Sequence, residues 1–164
     1  MATAEFTDAP ITTLMAMYQQ CLCEQIEADG LPETCFCGLL PGQNLANDYG
    51  DDGMAWVRLV ATHPSRQFPQ EDDTWTPCAA PMAYTLEMGV LRCAPVFKDS
   101  RGNPPSLEAQ FEAVRLQMAD MEAMKKAIAC CNTPPDWDVA LGTYVPFGPD
   151  GGRVGGIWTF SVGT

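Results

Sequence analysis

Residues 144–162 read YVPFGPDGGRVGGIWTFSV, two aromatic and β-branched runs on either side of a glycine-rich break. Glycines at this density occur in phosphate-binding loops and in tight chain reversals, and the two lead to different proteins. A phosphate loop requires G-x-x-x-x-G-K-[ST] between a strand and a helix. Here no Lys follows the glycines, and a strand pattern follows them instead. The stretch is therefore a hairpin, with strands expected over Val139–Phe147 and Val154–Val162. Pro149-Asp150-Gly151 is strong turn chemistry, with Pro149 presetting φ and Gly151 supplying the positive φ that a tight reversal needs, and Gly152 and Arg153 complete the tip. Gly155 and Gly156 fall inside the returning strand, where they mark either a bulge or the close approach of another backbone, and with Pro149–Arg153 they are candidate subunit or partner contacts.

Upstream of the hairpin, Pro104-Pro105-Ser106 introduces a helix with Ser106 as its cap and Glu108 in its first turn. The helix is expected to run to about Cys131, before Pro134-Pro135. Leu107, Phe111, Val114, Met118, Met121 and Ile128 form one stripe, with Lys125 in the remaining step, and that stripe is expected to face the sheet. Two strands precede it. Met54–His63 alternates Ala55, Val57, Leu59 and Ala61 on an apolar face with Trp56, Arg58, Val60 and Thr62 on a mixed one. Ala83–Cys93 places Tyr84, Leu86, Met88 and Val90 together. Between them lies a long connection, Pro64–Pro81, rich in proline and acids. Connections of this length in compact domains are usually functional. Phe68 and Trp75 within it are candidate subunit or partner contacts, Trp75 being either an interface anchor or part of a folded-back loop.

The first helix is expected from Ile11 to about Ala28, with Ile11, Leu14, Tyr18, Cys21, Leu22 and Ile26 at helical spacing and Gly30 as its stop. Leu31–Gly53 reads as loop. The element order α-β-β-α-β-β gives an α+β fold: a single antiparallel or mixed four-stranded sheet packed by two helices. The 164 residues form one domain, with no internal repeat and no linker.

The net charge of -12 makes sequence-specific nucleic-acid binding unfavourable, and the nine Lys and Arg are scattered. No apolar run reaches membrane-spanning length, and the amino terminus has no signal-peptide charge pattern, so a soluble protein made in the cytoplasm is expected. Eight cysteines include two C-x-C pairs, Cys21/Cys23 and Cys35/Cys37. Zinc sites generally use C-x(2–4)-C, and positions i and i+2 of a helix point to different faces. Buried free thiols are the expected state, with structural zinc and disulfides as the alternatives.

No catalytic constellation is present: the one histidine, His63, sits at a strand end, and no nucleophile, metalloprotease or dinucleotide motif occurs. The acidic groups Asp48/Asp51/Asp52 and Glu71/Asp72/Asp73 lack calcium-loop register. The protein is not expected to be an enzyme, and no metal or cofactor is expected. A site-less acidic domain with an edge-prone hairpin reads as an assembly protein.

The run GMAWVRLVATHPSRQFP, then AYTLEMGVLRCAP, the Met-rich helix and YVPFGPDGGRVGGIWTFSV resembles the tail terminator (tail-completion) proteins of long non-contractile-tailed phages infecting actinobacteria. The resemblance implies a small α+β domain that forms a homo-oligomeric ring, a hexamer. That ring would cap the tail tube protein, end its polymerisation and join the head-tail connector or stopper protein at the neck of the virion. DNA would pass through the lumen without specific binding, and an acidic ring suits that passage. The loop 64–81 and the tip Gly148–Arg153 would make the partner contacts. The alternatives are a head-tail stopper or adaptor, or a small Cys-rich zinc-binding regulatory domain.

Overall fold

The computed structural model describes residues 7–42, 53–74, 78, 80–95 and 102–164, and every structural statement below concerns these. Seven elements follow in order: α1 (Pro10–Ala28), β1 (Phe36–Leu39), β2 (Met54–Pro64), β3 (Met82–Cys93), α2 (Leu107–Cys130), β4 (Asp138–Asp150) and β5 (Arg153–Gly163). The strands form one mixed sheet in the order β1-β2-β3-β5-β4. β1 lies parallel to β2, and the other three pairings are antiparallel.

The fold is thus α+β, with five strands where four were expected. The additional strand, FCGL, lies within the stretch read as loop. Four residues carry too little alternation to be distinguished from a loop. Its partner, Met54–Val57, starts fifteen residues further on, so the pairing has no hairpin signal.

Both helices cover one face of the sheet. Leu14, Tyr18, Leu22 and Ile26 of α1 and Met124, Ala127 and Ile128 of α2 meet Ala55 and Val57, Leu86, Met88 and Val90, and Phe160 and Val162 from β2, β3 and β5. The period-2 reading of β2 and β3 therefore chose the right face. Tyr18 packs edge-on against Phe160, ring centroids 4.9 Å apart, and its hydroxyl shares a 2.8 Å hydrogen bond with Thr133. α1 begins with Pro10 at its first position and ends where Gly30, at φ 67, lets the Leu31 amide bond back to the Ile26 carbonyl. Ser106 caps α2 as expected, its Oγ accepting from the Ala109 amide at 3.1 Å.

The orientation of α2 differs from the expectation. Of its apolar stripe only Ile128 is fully buried, while Leu107 is 86% exposed, Phe111 65%, Val114 54% and Met118 38%. The inward face carries Asp120, Ala123, Met124 and Ala127 instead. Arg92 of β3 explains the turn: it reaches across to Asp120 and holds that face of the helix down.

The other face of the sheet has a smaller cluster of Leu40, Met54, Trp56 and Leu91, with Phe36, Phe147 and Ile157 packed on it.

Candidate functional site

The hairpin tip is built as a two-residue turn. Gly151 and Gly152 have φ 54 and 75, the left-handed conformation that both central residues of a type I′ turn require, and Asp150 pairs with Arg153 across it. The strands thus extend to Asp150, beyond the predicted end at Phe147, and a register shift between Phe147 and Asp150 absorbs Gly148-Pro149. The tip is tied back to its own chain. The Ala94 amide donates to the Gly152 carbonyl at 2.7 Å, and Arg153 Nη1 donates to Cys93 Sγ at 3.5 Å.

Gly155 and Gly156 lie buried in the sheet, in unbroken register with Leu91 and Val90. A Cβ at Gly155 would stand 2.0 Å from the Val90 carbonyl oxygen, and one at Gly156 would stand 2.0 Å from the Tyr144 hydroxyl. Of the two sequence readings, close approach holds and the bulge does not. Both residues therefore serve packing inside this chain.

The long connection is folded on itself as far as it is described. Ser65 N donates to Pro81 O and Asp72 N to Pro64 O, each at 2.9 Å, closing its base. Arg66 pairs with Asp72 at 3.1 Å, and hydrogen bonds from Thr74 hold the Asp72 carboxyl below the usual range. Phe68 is half-buried, its ring against Gly163, where an added Cβ would meet it at 2.5 Å. Trp75 lies outside the described residues, as do Asp48, Asp51 and Asp52. His63 Nε2 sits 3.2 Å from the Pro69 carbonyl oxygen.

The predicted contact residues do not converge. Phe68 and the connection stand at the end of the sheet where Ala83 pairs with Gly163; the tip stands where Cys93 pairs with Arg153. Ten residue steps of β5 separate the two ends, about 34 Å at roughly 3.4 Å per step. Between them, β4 forms a thirteen-residue edge with Val139, Leu141 and Val145 exposed.

Two buried ion pairs were not anticipated. Arg92 holds Asp120 through Nε at 2.7 Å and Nη2 at 2.8 Å, and its Nη1 donates to Pro32 O at 2.8 Å. Burial pushes the Asp120 carboxyl up, against the opposing pull of Arg92. Tyr144 lies beside this pair with a buried hydroxyl that has no hydrogen-bond partner among the described residues, and burial with the Asp120 charge pushes its pKa up to about 12. On the other face, Arg58 Nη2 donates to Glu87 Oε2 at 2.9 Å and Trp56 Nε1 to Glu87 Oε1 at 3.0 Å. Both arrangements join neighbouring elements. The sequence signal was a charged residue at a buried position of an alternating strand, Arg58 or Glu87.

The cysteines correct the expectation of buried free thiols. Cys21 is bonded to Cys131 and Cys23 to Cys37, with Cα atoms 5.9 and 6.1 Å apart. Cys35, Cys78, Cys93 and Cys130 lie outside the disulfides and are exposed. The i, i+2 spacing decides the pairing: it sends Cys21 toward the end of α2 and Cys23 toward β1, so the four thiols of the two C-x-C pairs do not gather around one point. Among the described residues, no three His, Cys, Asp or Glu side chains converge as metal ligands, and no helix is long and apolar enough to cross a membrane.

No protein-family model matches the chain, and no curated protein is significantly similar to it.

Proposed function

We propose that the chain is a structural subunit of a long-tailed phage virion, of the tail-terminator kind. Six copies associate in a ring that caps the tail tube, ends its polymerisation and joins it to the head connector, while DNA passes through the lumen. The observation that carries this reading is the placement of the two predicted contact elements. The connection Pro64–Pro81 and the tip Gly148–Arg153 sit at opposite ends of the sheet, as a subunit that joins one partner above to another below requires. The exposed edge of β4 supports self-association, because a long apolar edge strand is an open template for pairing. The charge of -12 per chain keeps a lumen from holding phosphate.

Light scattering and negative-stain imaging, with and without tail tubes of a long-tailed actinobacteriophage, test it. Rings of about six subunits, free or seated on tube ends, are expected. A chain that stays monomeric and leaves tube ends bare and tube length unregulated would sink the proposal.

A further inference from the structure

The exposed half of α2 has a regular spacing that its role in the core does not use. Leu107, Phe111, Val114, Met118 and Met121 alternate in steps of four and three, the heptad pattern of a two-helix seam. Lys125 takes the next seam position, and Ile128 beyond it is buried in the chain's own core. The open seam thus comprises four residues, Leu107 to Met118, about 18 Å along the helix at 1.5 Å per residue over some twelve residues. Four neighbouring large apolar side chains, 38–86% exposed on one stripe, exceed the scattered apolar exposure of an ordinary surface.

The charges beside the seam identify its occupant. Glu108 and Arg115 lie seven residues apart on one flank, and the other flank carries Gln110 and Gln117. A helix with this flank is complementary to itself when turned antiparallel. Setting Leu107 against a second copy's Met118, and Phe111 against its Val114, makes four apolar layers. The same register brings Glu108 within a turn of the second copy's Arg115, and the two-fold axis repeats that pair. Arg115 engages its own Glu112 through Nε and Nη2, so its remaining guanidinium N–H groups can reach a second carboxylate. A parallel pairing would instead set Arg115 against the second copy's Gln110 and Glu108 against its Asn103, leaving no opposite charges paired.

We infer that α2 is a self-docking surface through which two copies of this chain associate by an antiparallel, two-fold contact along Leu107–Met118. The contact closes at two copies and needs neither the β4 edge nor the two ends of the sheet, so it stands or falls apart from the ring. A contact of only four layers is weak, and a dissociation constant of roughly 10–100 µM is expected.

Sedimentation equilibrium tests this on the purified protein at concentrations spanning about 1 µM to 500 µM. Phe111→Glu, a substitution at an exposed position, should halve the mass found at the upper end while the circular dichroism spectrum stays unchanged. Glu108→Arg and Arg115→Glu should each weaken association about 3–10-fold, and the two together should restore it, since they recreate the pair with its signs exchanged. Three results would overturn the inference. They are a monomer at every concentration, an association that Phe111→Glu leaves intact, and a double exchange no stronger than either single one.

Discussion

At Gly155 and Gly156 the sheet leaves no space for a methyl group, but the two obstacles differ in kind. A Cβ at 155 meets a backbone oxygen of β3, which can retreat only by displacing the strand; one at 156 meets the ring of Tyr144 on the edge strand β4. Gly155→Ala is therefore expected to cost about 2–3 kcal/mol and Gly156→Ala about 1 kcal/mol, read from urea unfolding midpoints. Equal costs would contradict the distinction. Tyr144 itself is expected to respond in the opposite sense. Its hydroxyl is buried without a partner among the described residues, so Tyr144→Phe should be neutral or stabilise by up to about 1 kcal/mol. Tyrosine ionises near 10 in the unfolded chain and near 12 here, so the folded state resists losing that proton. The stability this gives is complete below pH 10 and is lost as pH rises through about 12. Wild-type stability should fall across that window more steeply than that of Tyr144→Phe, and parallel profiles would place the titration elsewhere.

At the scale of elements, α1 is held by its apolar stripe, whereas α2 turns most of its stripe outward and is tied down by Arg92, so the sequence was legible in parts. Strand faces in β2 and β3 could be read because alternation is a local property and one face is fully apolar. The stripe of α2 was equally visible, yet its direction was not. Helical spacing identifies a face without saying what that face meets, and the large side chains outweighed the alanines that approach the sheet. The tie from Arg92 to Asp120 joins residues 28 apart in sequence and leaves no local pattern. Removing one partner of this buried pair, as in Asp120→Ala, should cost about 3–5 kcal/mol by leaving the guanidinium uncompensated. The disulfides act at the same scale. Cys21–Cys131 spans 110 residues and Cys23–Cys37 spans 14. Loop-closure entropy gives about 4–5 kcal/mol for the first and about 3 kcal/mol for the second. Thermal unfolding of Cys21→Ser/Cys131→Ser and Cys23→Ser/Cys37→Ser variants without reductant should rank them in that order, and reductant should remove the difference from wild type. The reverse ranking would mean that chain entropy is not the governing contribution.

For the whole molecule, the sheet has two distinct ends, and the long connection can be altered without touching what holds the fold together. Of the two bonds that close its base, Ser65 N to Pro81 O lies outside 70–76, as does Phe68, which packs on Gly163 at the end of β5. Deleting Gln70–Thr76 removes Asp72, and with it the Arg66 pair and the bond to the Pro64 carbonyl, which are exposed or peripheral contacts. Such contacts contribute about 0–1 kcal/mol each, so the thermal midpoint should move by only a few degrees. The same deletion removes the surface that the proposed function gives to a partner at that end of the ring. Complementation of a phage lacking the wild-type protein should then yield filled heads and separate, length-regulated tails, counted by electron microscopy, because the opposite end at the hairpin tip still meets its own partner. Joined particles at wild-type yield would show that the connection is dispensable for joining. Tails of uncontrolled length would assign it to the tube instead of the head.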